Sequence, residues 1–234
     1  FLLEPKLGFA QGFDEYDHSA VVGHDHLSSP KATGIALEEL RRLQHQRFFL
    51  MVHLFDPHSV YLHHEEFDRT SGYDGPARHW DMEITRLRGR RHDMADEDLA
   101  FLRDLYREEI AFTDHHVGLI LDELATLGLE ENTLVILTAD HGEEFMEHDW
   151  IGHTRHLYDT LVHVPLVFRL PGVLEPARID DPVSLLDLAP TVADMCPEPP
   201  AIDWDGVSLA PLLTRGEDEG ERALFSEVAF LSPP

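Results

Sequence analysis

Residues 133–172 read TLVILTADHGEEFMEHDWIGHTRHLYDTLVHVPLVFRLPG. Leu134-Val135-Ile136-Leu137 is an unbroken aliphatic run of the kind expected in a strand buried on both faces. It ends in Thr138-Ala139-Asp140-His141-Gly142, so a carboxylate and an imidazole sit just past the strand's carboxyl end. In open α/β sheets that rim is where ligands bind. An adjacent Asp and His can both face one metal from a loop, because a loop is free of a strand's alternation. Gly152-His153 follows twelve residues after His141, and Val164 to Leu170 is a second strand candidate, stopped by Pro171-Gly172. Taken alone, the pair reads more readily as Asp140 capping the next segment, with His141 a satisfied loop histidine.

Working outward, Asp96 to Gly128 carries Leu99, Leu102, Tyr106, Ile110, Val117, Leu121 and Leu124 at steps of three, four or seven, which predicts a long helix. Asp96 is placed to cap it, and Gly128 to end it. The helix delivers the chain into the 134–137 strand, a step typical of α/β folds. Upstream, Ile35 to Leu43 is an amphipathic helix candidate, and Arg47 to Leu54 (RFFLMVHL) is another buried-strand candidate. Phe55-Asp56-Pro57-His58 closes that strand, since proline stops the ladder and fixes the turn. His58 thus stands at a strand's end, as Asp140 does. His18, His24 and His26 lie in a polar connection, read as solvated. The polar stretch 63–96 is read as a substrate-selecting lid or a solvated insertion, and Arg86, Arg88, Arg90 and Arg91 as surface residues.

The 234 residues include 45 acidic against 18 basic, for a formal net charge of -27. Such a surface repels nucleic acid and anionic membranes. The near absence of lysine (Lys6 and Lys31) fits either a salt-adapted source or an ordinary acidic enzyme. Apolar stretches are strand-sized, so no membrane span is expected. A single cysteine, Cys196, excludes an intramolecular disulfide and four-cysteine zinc sites; following an apolar helix candidate, it is expected to be a small buried hydrophobe.

Several segments together resemble the sulfatase family of the alkaline phosphatase superfamily. The family carries a strand ending in (T/S)-D-(H/N)-G, an E-H-G-like turn, a Gly-Lys or Gly-His pair, an L-Y-D/E turn and V-P-L-(I/V)-x-R-x-P-G. The corresponding residues are Ala139-Asp140-His141-Gly142, Glu147-His148-Asp149, Gly152-His153, Leu157-Tyr158-Asp159 and Val164 to Gly172. Asp149 stands where Gly is common, and Thr154 where a second Gly is common. His53 to Tyr61 is similar to H-x-x-D-P-H-x-P-Y, with Val60 replacing Pro. Leu7 to Asp17 resembles G-x-x-x-G-F-D-x-Y, and Val183 to Met195 resembles V-S-x-x-D-L-x-P-T-L. Asp205 to Leu213 resembles D-G-x-S-L-x-P-L-L, and Ala223 to Glu227 looks like the start of a later strand.

The resemblance implies an α/β fold with a mixed, mostly parallel sheet sandwiched by helices, present as a partial domain. Residues 1–204 would be part of the catalytic domain, and 205–234 the start of a smaller C-terminal subdomain. It also implies metal-dependent hydrolysis of a sulfate ester on a sulfated sugar or aryl group. Asp140 and His141 become two metal ligands, with the others expected before Phe1. The cation is typically calcium, with manganese or magnesium open. His153 takes the place of the Lys or His that binds the ester's anionic oxygens, and His58 that of the histidine near the nucleophile or leaving group. A formylglycine made from Cys or Ser in C/S-x-P-S/A-R is expected upstream, since Cys196 does not stand in that pattern. The alternatives are a phosphonate or phosphodiester hydrolase of the same superfamily, and a non-catalytic binding domain.

Overall fold

The computed structural model describes residues 4–20, 23, 26–196, 203–217, 220 and 222–228; His24 lies outside them. In chain order the main elements are α1 (Ser29–Leu43), α2 (Ile84–Arg90), α3 (Asp96–Thr126), β1 (Val135–Thr138), α4 (Asp159–Val162), β2 (Leu166–Arg169), α5 (Leu188–Met195) and α6 (Ala210–Arg215). Two compact units result: Phe1–Leu129 with Glu143–His153, and Glu130–Gly142 with Thr154–Pro234. No helix among the described residues is long and apolar enough to cross a membrane.

The first unit is built on α3. Its inward stripe is Phe101, Leu102 and Leu105, which cluster with Tyr61, Ala77, Leu87, Phe145 and Ile151. Ile110 is instead 45% exposed. The buried stripe continues through two carboxylates, Glu108 and Glu109, that an apolar pattern does not reveal. The start of α3 also differs from expectation: Ala95 is the capping position, and its N–H donates to the Asp98 carboxylate at 3.0 Å. Asp98 therefore does the work assigned to Asp96, satisfying a donor that the first turn leaves open. Helix α1 packs on α3, and Arg41 forks onto Glu123 at 2.8 and 3.0 Å.

Residues 63–96 are not a solvated insertion. Ala77 and Leu87 are fully buried, and Tyr73, Trp80, Met82 and Ile84 pack around the same core. Alternating small and polar residues hide this, because each short turn contributes only one or two core side chains. The segment 47–54 forms no strand, and Phe49 (67% exposed) and Met51 (63%) face solvent. A strand needs a hydrogen-bonded neighbour as well as the right residues, and this segment has none among the described residues.

In the second unit β1 and β2 pair antiparallel, with Val135 opposite Arg169 and Thr138 opposite Leu166. Both strands are half-buried rather than covered on both faces. The Thr138 hydroxyl donates to the Pro165 carbonyl at 2.8 Å, locking the strand ends together. After β2 the chain turns at Gly172 (φ 74°), as the Pro-Gly pair requires. The stretch 183–195 forms a 3-10 turn at Leu185–Asp187 followed by α5. Buried Asp187 is its hub, accepting N–H bonds from Ser184 at 2.7 Å and Val207 at 3.0 Å and both arms of Arg222. Burial pushes its pKa up, but Arg222 and those N–H groups outweigh it and hold the carboxyl below its ordinary range. Gly206 fits only as glycine, since a Cβ there would lie 2.1 Å from the Leu186 carbonyl oxygen. Cys196, at the end of α5, is exposed rather than buried. Residues 222–228 form no strand.

Candidate active site

His58 is set by a turn whose carboxylate points inward. Its N–H donates to the Phe55 carbonyl at 3.0 Å, closing the turn. Asp56 accepts the N–H groups of Ser28 and Ser29, each at 2.7 Å, together with both their hydroxyls. The carboxylate thus anchors the turn to the open donors at the start of α1. The His58 ring stacks on Phe55 with centroids 4.6 Å apart, and its Nδ1 lies 2.7 Å from the Ser59 carbonyl. A carbonyl only accepts, so that nitrogen carries the proton.

His153 follows a tight hairpin. Phe145 and Ile151 bridge, Met146 N–H donates to Trp150 at 2.7 Å, and Gly152 N–H to Glu144 at 2.9 Å. Asp149 has φ 58°, the left-handed conformation that glycine adopts freely, which accounts for Gly being common at that position in the resemblance. Gly152 has φ 86°, and a Cβ there would sit 2.7 Å from the Arg88 guanidinium and 2.8 Å from Ile84 Cδ1. Arg88 is not a surface residue but a clamp. It donates to the carbonyls of Ile151 at 2.8 Å and His153 at 3.2 Å, and lies over the Trp150 ring at 4.9 Å.

The hairpin brings His153 against His58, with ring centroids 5.0 Å apart and nearly perpendicular. His153 Nδ1 is 3.0 Å from Glu143 Oε1, while the Tyr61 hydroxyl donates to Glu143 Oε2 at 3.0 Å. The Glu143 side chain is 3% exposed. Burial, reinforced by the Glu143 carboxylate, pushes the Tyr61 pKa well up, so its hydroxyl stays a donor. Sequence reading missed Glu143 and Arg88. A carboxylate directly after Asp-His-Gly was the available signal for the first; nothing in sequence marked the second.

Asp140 and His141 lie just past β1 in the second unit. The His141 N–H donates to Asp140 Oδ1 at 3.0 Å, and His141 Nδ1 lies 2.8 Å from the Gly142 carbonyl. That bond places the proton on Nδ1, and Nε2 stands 3.8 Å from Asp140 Oδ2. Two ligands of one cation, each at about 2.0–2.6 Å, stand at such a separation. A carboxylate oxygen and an imidazole nitrogen therefore fit a divalent ion as two members of a larger ligand set. Gly142 is held against α4: its N–H donates to Leu161 at 2.8 Å, and a Cβ would meet the Thr160 carbonyl oxygen at 2.0 Å.

One other grouping, His63, Asp68 and Glu108, brings three ligand-type atoms within 4.8 Å of one another. Its atoms also hold the loop after Tyr61. Glu108 accepts from His63 Nδ1 at 2.8 Å, His64 N–H at 3.0 Å and Arg69 N–H at 2.6 Å, and Asp68 accepts the Thr70 N–H at 2.8 Å. Beside it, Glu109 accepts the Leu62 N–H at 2.6 Å and faces His64 Nε2 at 2.8 Å.

The sulfatase family profile matches residues 10–197. Arylsulfatase K of Canis lupus familiaris is 35% identical over 116 residues, covering 50% of this chain and 22% of that protein. The N-acetylglucosamine-6-O-sulfatase of Bacteroides thetaiotaomicron is 30% identical over 122 residues, or 52% of this chain and 21% of that protein. Among solved structures, a phosphonate monoester hydrolase of Agrobacterium radiobacter superposes with a TM-score of 0.64 at 28% identity, covering 82% of this chain and 44% of that one. The matched segment thus spans about a fifth of the length of these curated relatives. The fold is that of a partial α/β domain of the alkaline phosphatase-like class.

Proposed function

The chain belongs to the sulfatase family, and from that we propose that it carries part of the active site of a sulfuric ester hydrolase. The observation that carries the reading is the pairing of His58 with His153, 95 positions apart in sequence, with rings 5.0 Å apart. In this reading His153 binds the anionic oxygens of the ester through its ring, and His58 lies beside the leaving group. Asp140 and His141 hold a divalent cation, which when bound supplies Lewis acidity to the ester oxygens. Two cationic-capable donors with one apolar wall, Phe55, suit charge that builds up during ester cleavage. The substrate is a small anionic ester, a sulfated sugar or an aryl sulfate. Residues 1–204 are assigned to the catalytic domain and 205–234 to the start of its smaller subdomain.

A phosphonate monoester is the second reading, favoured by the Agrobacterium radiobacter structure at 28% identity. The sulfate reading has the family profile and the arylsulfatase relatives behind it. Steady-state kinetics on the natural full-length protein separate the two, with 4-nitrophenyl sulfate and 4-nitrophenyl phenylphosphonate as probes. The sulfate ester is expected to show the higher kcat/KM, and chelation of divalent cations to abolish turnover. A higher kcat/KM for the phosphonate would move the assignment to phosphonate ester hydrolysis.

A further inference from the structure

Glu143 is a buried carboxylate with two partners, and both give it protons. The Tyr61 hydroxyl has no other role with a carboxylate than to donate, and it reaches Oε2 at 3.0 Å. That leaves Oε1, 3.0 Å away, for His153 Nδ1, which must then be the protonated nitrogen. Burial keeps Tyr61, 2% exposed, a rigid donor, and Arg88 fixes the backbone on either side of Gly152. The ring is therefore held at its inner nitrogen, by its neighbour His58 on one face, and by the hairpin that carries it.

We infer that Glu143 is the positioning residue of His153: its carboxylate holds Nδ1–H inward, and in the imidazolium form Nε2–H then donates to the substrate's oxygens, and Tyr61 in turn fixes Glu143. This rests on the reading of His153 as the anion-binding residue, and it names the atom that does the binding. A carboxylate serves both donors at once, one on each oxygen. A carboxamide in its place offers a single acceptor oxygen, for which Tyr61 and His153 compete.

The test is the ring tautomer of His153, read by nitrogen–proton NMR correlation on the 234-residue chain. The pH is raised until the ring signals stop moving, so that the neutral form is observed. The wild type is expected to keep its proton on Nδ1. Glu143→Gln, which preserves size, is expected to give a mixture of tautomers. Adding Tyr61→Phe to Glu143→Gln removes the competing donor and should return the proton to Nδ1. A role in packing alone predicts no such rescue. Finding Nε2–H in the neutral wild-type ring, or no change in Glu143→Gln, overturns the inference, whichever way the variants fold. Turnover of 4-nitrophenyl sulfate by the full-length protein is read separately: kcat/KM should fall about tenfold in Glu143→Gln and recover in the double variant. If the tautomer responds as stated but no form of the full-length protein cleaves sulfate esters, the positioning stands and the sulfatase reading falls.

Discussion

Two left-handed positions in the hairpin before His153 behave differently, and the difference is local sterics. Asp149 at φ 58° has an exposed side chain, and short polar residues tolerate this conformation. Asp149→Gly is therefore expected to leave stability within about 1 kcal/mol of wild type, with relief of strain set against lost chain stiffness. Gly152 at φ 86° has no room for a side chain. Gly152→Ala forces Arg88 or Ile84 to move as well as straining the backbone, and should cost about 1–3 kcal/mol in urea unfolding. Equal midpoints for the two variants would mean that the hairpin is not built as described. At this scale the sequence singles out candidates by residue type and place: Asp140 and His141 could be picked just after β1, His153 in a glycine-marked turn, and His58 in its Asp-Pro turn, although 47–54 before it forms no strand. Glu143 and Arg88 could not, because their roles exist only once 61, 88 and 143–153 are brought together.

Helix α3 shows why an apolar pattern finds an element but misjudges its buried face. Its span was legible from leucine spacing, yet Glu108 and Glu109 occupy inward positions and tie down the loop that follows Tyr61. Burial drives the Glu109 pKa from 4.5 up to about 8, with the Asp56 and Glu108 charges adding to it against the Leu62 N–H. Burial also lowers the pKa of its partner His64. At neutral pH the pair is consequently a carboxylic acid donating to a neutral imidazole. The sign follows: the folded state holds a proton on Glu109 that the unfolded chain has released, so stability from this group is complete below 4.5 and is lost as pH rises through about 8. His64 acts in the opposite sense, but only below its ordinary value of 6.5. Between pH 6.5 and about 8, stability should fall by up to about 2 kcal/mol. Glu109→Gln, which cannot lose the proton, should flatten that fall in pH-dependent urea titrations. A wild-type curve that rises across this window would contradict a protonated Glu109. The 47–54 segment gives the complementary lesson, since its residues suit a strand but pairing partners are not written in a single stretch of sequence.

At the scale of the whole molecule, the order of motifs from Leu7 to Glu227 carried the family assignment, and the profile match over 10–197 agrees with it. The division of labour within the fold was less legible. Asp56 and Asp187 both stand in family-like motifs, Asp56 beside His58, yet both serve as hubs that satisfy backbone donors. On the proposed reading, a protein with a net charge of -27 would draw an anionic ester against its own field, which would place the burden on a bound cation and on local donors such as His153. In enzymes whose parts act as a unit, losing one part removes most of the rate. The 234-residue chain, spanning 44% of a solved relative, is accordingly expected to stay at background with aryl sulfates and aryl phosphonates. The most direct measurement is kcat/KM for 4-nitrophenyl sulfate, taken on the natural full-length protein produced with formylglycine-generating capacity and divalent cation, and compared with its His153→Ala variant. Measurable turnover by the wild type that falls about 100-fold or more in the variant is the expected result; turnover unchanged by His153→Ala, or none from the fully matured wild type, would contradict it.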